Sequence, residues 1–238
     1  MRFEGVGKLF TIPIVYEDNH LLVVDKPPNI LSQKDSTGDM DMLTLLKQDI
    51  KIRYNKPGNV YLGLVHRLDR PVGGVMLFAK TSKSAARLSE QIKRRELSRT
   101  YLALIHGQPS KHQSTLVHYL IKDDKRNLVS VVRKNMKGAK EAILDYHVVR
   151  HQADISLVKV KLRTGRPHQI RVQFAHLGHP LYGDQRYGRN PKTIGQQIGL
   201  WSYEISCLHP ITKKNMKFNS SPFRHKPWSQ FQSQLDII

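Results

Sequence analysis

Gly63-Leu-Val-His66-Arg67-Leu68-Asp69-Arg70-Pro71-Val-Gly73-Gly74-Val-Met-Leu-Phe-Ala-Lys80 sets one carboxylate between two arginines, ahead of a proline and two glycines, and then enters an apolar, strand-like run. Proline presets φ and glycine accepts backbone shapes closed to other residues, so Pro71 to Gly74 reads as a turn that holds Asp69 in place. A carboxylate that must stay ionised and face a ligand needs cationic neighbours to keep its pKa down. Arg67 and Arg70 are the nearest in sequence. A plain turn aspartate paired with Arg67 or Arg70 would show the same local pattern, because structural ion pairs also perturb pKa values. The rest of the chain has to decide between the two readings.

Working outward, Ile14-Val-Tyr16 and Leu21-Leu-Val-Val24 flank a polar turn and read as a hairpin whose second arm stops at Pro27-Pro28. Residues 32–42 are polar and loop-like. Met42 to about Tyr54 has helical spacing, with Leu43, Leu46 and Ile50 on one face. Residues 60–80 return to strand character on both sides of the Asp69 turn. Ser82 to Arg95 predicts an amphipathic helix with Ser82 as N-cap. Ala85, Leu88 and Ile92 fall on one side of it and Lys83, Arg87 and Arg94 on the other. Strands are expected at Ser98–His106, Ser114–Ile121, Leu128–Arg133, Ala142–Arg150 and Ile155–Arg163, with connections short enough for mainly antiparallel pairing. His168 to Leu177 reads as a helix begun by Pro167 and stopped by Gly178. Two strands around the turn His209-Pro-Ile-Thr212 and a last helix over Pro222–Leu235 complete the chain. The pattern predicts a single α+β domain on a large mixed, mainly antiparallel sheet flanked by helices. Strands outnumber the helices and do not alternate with them, which argues against a Rossmann fold.

Charge narrows the function. The 238 residues carry 39 Lys and Arg against 19 Asp and Glu, a formal net charge of +20. Such a surface gains affinity by releasing the counterions of a polyphosphate, so structured RNA is the expected partner. Anionic membrane is set aside because no terminal helix has the apolar face to anchor one. In the section 185–238, Lys213, Lys214, Lys217, Arg224 and Lys226 outnumber Glu204 and Asp236. The one cysteine, Cys207, excludes an internal disulfide and a cysteine-based zinc site. Met1 to Lys8 is too polar for a signal peptide, and no apolar run is long enough to span a bilayer. A cytoplasmic location is the expectation. His176 and His179 lack the carboxylate or thiol companions of a metal site, so no metal is expected. Neither a Gly-x-Ser-x-Gly elbow nor a phosphate-binding P-loop occurs.

A second cluster, Leu162-Arg163-Thr-Gly-Arg166-Pro167-His168-Gln169-Ile-Arg171, falls at a strand-to-helix junction, where free N–H groups and the positive dipole end suit phosphate or carboxylate. Arg163 and Arg166 lie where that dipole disfavours cations, so an anion nearby would explain them. His168 and Arg171, three apart, are expected to share a helix face.

His66-Arg-Leu-Asp69 with Gly73-Gly74, Tyr101-Leu-Ala103, Arg163 to Arg171 and Gly178-His-Pro-Leu-Tyr-Gly-Asp184 occur in the order seen in the RluA-type RNA pseudouridine synthases. Val24-Asp-Lys26-Pro-Pro-Asn29 resembles that family's N-terminal Lys-Pro element. The resemblance covers roughly residues 12–225. It implies the pseudouridine synthase fold with a catalytic cleft in the middle, formed by a single catalytic domain over 1–238 without the N-terminal S4-type RNA-binding domain of many relatives. The implied activity is isomerisation of specific uridines in rRNA or tRNA: the base flips out, an aspartate-dependent step breaks the N-glycosidic bond, and uracil rejoins through C5, with no cofactor. A base within a stack must leave it before any side chain reaches C1′, and an aimed carboxylate suits the positive charge that builds there.

By the same resemblance Asp69 is the catalytic carboxylate, Arg171 its basic partner and Tyr101 the residue that stacks on the base and assists loss of the C5 proton. Arg67 enters the space the base vacates, and His66, Leu68, Arg99, Arg166, His168 and Gln169 complete the substrate contacts. The protein is expected to be a monomer with no obligate protein partner. Three positions depart from the family pattern: Pro71-Val72-Gly73 replaces Thr-Ser-Gly, Arg99 replaces a lysine, and Gln173 stands where histidine is common. A non-catalytic RNA-binding or ribosome-assembly protein on this fold is the alternative. It would be free to lose the carboxylate, Tyr101 or Arg171, and all are present. A nucleoside hydrolase using Asp69 and water would release free uracil and has no need of so basic a surface.

Overall fold

Two short strands, β1 (Arg2–Gly5) and β2 (Lys8–Thr11), pair antiparallel at the start of a computed structural model that describes residues 2–5, 8–188, 195–222 and 227–237. The chain divides into two compact units, Met1–Ser98 with Ser202–Ser220, and Arg99–Trp201 with Ser221–Ile238.

In the first unit the predicted hairpin forms as β3 (Ile14–Glu17) and β4 (Leu21–Lys26). Asp18 closes its turn by accepting the N–H groups of His20 and Leu21, both at 2.7 Å. β4 pairs antiparallel with β6 (Gly73–Ala79), from Leu21 opposite Ala79 to Lys26 opposite Gly74, and β5 (Gly63–Leu64) pairs with the end of β6. That register brings Lys26 beside the Asp69 turn. Gly74 is obligatory there: its φ is 115° and a Cβ would run into the Ser202 carbonyl. β12 (Leu200–Leu208) enters this unit at Ser202 and pairs with β13 (Asn215–Asn219) around the predicted turn. Leu21, Val23, Val75, Leu77, Leu88, Ile205, Cys207 and Phe218 make one apolar core. Burial pushes the Cys207 thiol up to about 11, as expected of a small hydrophobe rather than a nucleophile.

Two details of the helices differ from expectation. α1 (Met42–Arg53) buries Met42, Leu45, Leu46 and Ile50, while Leu43 is only half-buried. α2 (Ser82–Lys93) is capped by Thr81, not Ser82. Thr81 has the extended backbone a cap requires, and its hydroxyl accepts the Ser84 N–H at 3.1 Å. The cationic stripe on α2 is partly spoken for: Arg87 donates to the Pro210 carbonyl and Arg94 pairs with Glu90.

The second unit contains five antiparallel strands in the order β7 (Ser98–His106), β11 (Ile155–Leu162), β10 (Lys140–Gln152), β8 (Gln113–Asp123), β9 (Leu128–Val132). All four pairings are antiparallel. α3 (Gln169–His176) lies on one face, where Val172 joins Leu120, Val129 and Ala142, and Phe174 meets the Tyr146 ring edge-on at 5.5 Å. Of the predicted final helix, the described part forms a 3-10 turn, Trp228–Phe231, followed by α4 (Gln232–Leu235). Residues 223–226 lie outside the described residues. Among the described residues no helix is long and apolar enough to cross a membrane, and no group of three or more His, Cys, Asp and Glu is placed to hold a metal.

Candidate active site

The Asp69 turn is held through its backbone by residues of the preceding loop. Ser32 Oγ donates to the Leu68 carbonyl at 2.7 Å and accepts the Leu68 N–H at 3.0 Å. The Asn29 N–H donates to the Arg70 carbonyl at 2.8 Å, and the Val72 N–H returns to the Asp69 carbonyl at 2.9 Å. Lys26, with no exposed surface, sends Nζ to the carbonyls of Pro27, Arg70 and Val72 at 2.9, 3.2 and 2.7 Å. The Asp69 side chain is left half-exposed.

Lys26 is also the cation beneath that turn. Burial pushes its pKa down to about 7; Asp69 opposes the fall and Arg70 adds to it. Arg70, one of the two arginines expected beside Asp69, instead pairs with Asp39 at 2.6 Å. Both groups of that pair are about half-exposed, so it contributes little. Arg67 is exposed. His66 and Leu68 are buried: His66 Nε2 accepts the Leu77 N–H at 3.1 Å, which makes Nε2 the unprotonated nitrogen and ties the segment to β6.

In the second unit, cross-strand register decides which side chains share a face. Tyr101 is opposite Val160 and Val160 opposite Tyr146, whose ring packs on α3. Buried Tyr101 therefore points to the face that carries α3 and Arg171. Arg171 is gripped bidentately by Asp184, Nε to Oδ2 and Nη2 to Oδ1, both at 2.8 Å. The Tyr187 ring lies 5.2 Å from the guanidinium carbon. Burial alone would raise the Asp184 pKa; the Arg171 guanidinium and the N–H groups of Arg186 and Tyr187 outweigh it and hold the carboxyl below its usual range.

The approach to α3 corrects one expectation and refines another. His168 is not in the helix: it occupies the N-cap with φ 51°, makes no capping bond, and turns Nδ1 to the Tyr187 hydroxyl at 2.7 Å. His168 and Arg171 nevertheless both pack against Tyr187. The partners of Arg163 and Arg166 are groups of the protein itself. Arg163 pairs with Asp145 at 2.7 Å, and Arg166 Nε donates to the Glu141 carbonyl at 2.8 Å. Buried Gln169 organises this loop, accepting from the Arg166 N–H and the Thr164 hydroxyl and donating to the Ile143 carbonyl. Arg99 lies against Gly165, where a Cβ would be 2.7 Å from its guanidinium nitrogen, and its buried Nε has no partner among the described residues. Gln173, in place of the family's histidine, is buried with Nε2 3.0 Å from His118 Nδ1. His176 packs edge-on against His118 and His179 bonds the His106 carbonyl, so neither shows ligand geometry. Of the basic C-terminal residues, Lys217 pairs with Glu204, and Arg224 and Lys226 lie outside the described residues.

Sequence reasoning singled out Asp69, Tyr101 and Arg171 but missed Ser32, and it placed Lys26 in a motif without seeing its contacts. Asp184 closed a quoted motif without a role, and Tyr187 went unremarked.

The sequence model of the RNA pseudouridylate synthases matches residues 20–176, two thirds of the chain. The chain belongs to this family. The match takes in Lys26, Asp69, Tyr101 and Arg171, while Asp184 and Tyr187 lie beyond it. Two bacterial relatives agree. An uncharacterized RNA pseudouridine synthase of Bacillus subtilis, YhcT, is 34% identical over 204 residues, covering 84% of this chain and 65% of the relative. A ribosomal large subunit pseudouridine synthase C of Buchnera aphidicola is 32% identical over 216 residues, covering 87% and 66%. The chain thus spans about two thirds of the length of these relatives. The solved structure of human RNA pseudouridylate synthase domain containing 4 shares the fold, with a TM-score of 0.75 at 19% identity over 94% of this chain and 93% of that one. Both the RNA pseudouridylate synthase resemblance and the α+β class expected from sequence are borne out.

Proposed function

We propose that this chain is an RNA pseudouridine synthase, an isomerase that converts specific uridines of structured RNA to pseudouridine. The observation that carries the reading is the Asp69 turn. Its backbone is bound by Lys26, Asn29 and Ser32, while its carboxylate stays half-exposed above a buried cation. A reacting group needs that combination of a fixed origin and an accessible tip. In the reaction the C1′–N1 bond of a flipped uridine breaks, and Asp69 attacks C1′ or balances the charge developing there. Uracil turns, its C5 bonds to C1′, and the C5 proton is lost. Tyr101 stacks on the base and assists that proton's departure, and Arg171 contributes a permanent positive charge that favours the ionised carboxylate. None of these steps calls for a metal or a redox cofactor.

A net charge of +20 supports RNA as partner, with affinity that falls steeply as salt rises. Ribosomal RNA is the first class to test, because one relative is named for the large ribosomal subunit. We read the protein as a cytoplasmic monomer acting without an obligate protein partner, in keeping with its single buried thiol.

Tritium release from total RNA labelled at C5 of uridine, drawn from cells lacking this protein, tests the reading. Wild type is expected to release tritium and Asp69→Asn to release none while binding RNA within a few-fold as tightly. No release from any RNA, with salt-sensitive binding intact, would shift the function to RNA binding alone.

A further inference from the structure

Tyr187 lies outside the matched family segment, and the reaction as described above does not use it. It nonetheless touches α3 at both ends of the first turn. Its ring lies beneath the Arg171 guanidinium, 5.2 Å away. Its hydroxyl is 2.7 Å from His168 Nδ1 and receives the Val129 N–H at 2.9 Å. While Val129 donates to the phenol oxygen, the phenol keeps its own proton to offer to His168 Nδ1.

His168 needs such support. It starts α3 in the left-handed region, φ 51°, with no side-chain cap, a conformation that non-glycine residues hold only when their surroundings impose it. The first backbone bond of the helix, from the Val172 N–H to the His168 carbonyl at 3.0 Å, begins at this residue, and Arg171 is three positions on. Tyr187 is itself fixed by the group that grips Arg171: Asp184 Oδ1 accepts the Tyr187 N–H at 3.1 Å while the same carboxylate binds the guanidinium. Burial raises the phenol's pKa, so it keeps its proton at neutral pH.

We propose that Tyr187 is a positioning residue for the isomerisation, orienting Arg171 through its ring and, through its hydroxyl and His168, the helix turn that carries it. The proposal rests on the reading that Arg171 serves catalysis. Tyr187→Phe keeps the ring and removes only the hydroxyl; Tyr187→Leu removes both; Arg171→Lys is measured beside them on the same tritiated total RNA. Tyr187→Phe is expected to lower kcat about tenfold with the apparent KM within twofold and a modest fall in melting temperature, since the Val129 N–H loses its acceptor, and Tyr187→Leu to lower kcat further. A wild-type kcat in Tyr187→Phe, or a raised KM at unchanged kcat, would overturn the proposal, leaving Tyr187 a packing residue in the first case and an RNA contact in the second. The two ideas fail separately: wild-type turnover in Arg171→Lys sinks the catalytic reading of Arg171, whereas loss there with full kcat in Tyr187→Phe sinks the positioning role alone.

Discussion

The Asp69 turn and the start of α3 hold their reactive groups in opposite ways. At Asp69 the protein binds the main chain of the turn: Lys26 and Asn29 hold the Arg70 carbonyl, Lys26 also holds that of Val72, and Ser32 clasps both polar groups of Leu68. At Arg171 the protein binds the side chain, with Asp184 on one edge of the guanidinium and Tyr187 under its face. A clamped backbone fixes where a reacting side chain starts from. A clamped side chain suits a group that contributes charge and stays put. The contrast predicts that damage near Asp69 should affect kcat first, while damage near Arg171 should affect folding as well.

Asp69→Asn should give the largest effect, a loss of about 10⁴-fold or more in single-turnover rate with RNA affinity preserved, since losing a nucleophile costs on that order. Retained turnover would remove the carboxylate from bond making. Asp184→Asn comes next and falls on stability: taking one partner from a buried ion pair costs about 3–5 kcal/mol, to be read as a shift in urea midpoint. As the Asp184 pKa is depressed in the fold, its contribution is present above the ordinary carboxylate range and fades as pH falls through its lower folded value. An unchanged midpoint would show that Arg171 does not depend on its side-chain clamp.

Lys26→Met strands the Val72 carbonyl, a cost of about 1–3 kcal/mol, while the Arg70 carbonyl keeps the Asn29 N–H. The substitution should reduce kcat more than RNA binding. The pH dependence is distinctive. The Lys26 ammonium titrates near 7 in the fold against 10.5 in the free side chain. Between those values the unfolded chain binds more protons, so this lysine makes stability rise with pH from about 7 towards 10, its penalty being complete below 7. The Met variant should lose that slope in thermal melts across the same window; an identical slope would mean that Lys26 is not the titrating group. Arg70→Ala should do least, under about 1 kcal/mol, because its pair with Asp39 is open to solvent. A large loss of activity there would mean that Arg70 touches RNA.

How much of this was legible in the chain depends on how far each interaction reaches along it. The hairpin of β3 and β4, the strand Ser98–His106 and the turn at Asp69 follow from local patterns of apolar alternation, proline and glycine. So do Asp69, Tyr101 and Arg171 as candidates, because they sit in short, unusual motifs. The caps were less secure: Thr81 and Ser82 offer the same hydroxyl, and only backbone geometry picks Thr81. His168 followed a proline and looked like a first helical residue, yet Gln169, binding back to Thr164 and Arg166, folds the loop so that the helix starts one residue later.

By itself the sequence determined a basic chain with mainly antiparallel strands and a carboxylate set in a proline–glycine turn. Those features are written in the order of neighbouring side chains. Only the tertiary structure decided which groups hold that carboxylate and its basic counterpart. Lys26 reaches carbonyls 44 and 46 residues away, Ser32 reaches Leu68 across 36, and Asp184 binds Arg171 from beyond the end of its helix. Hydrophobic periodicity reports which face of an element is buried. It carries no information about which distant polar group will meet a buried lysine or arginine, since that depends on strand register and on the need to satisfy every polar atom removed from water.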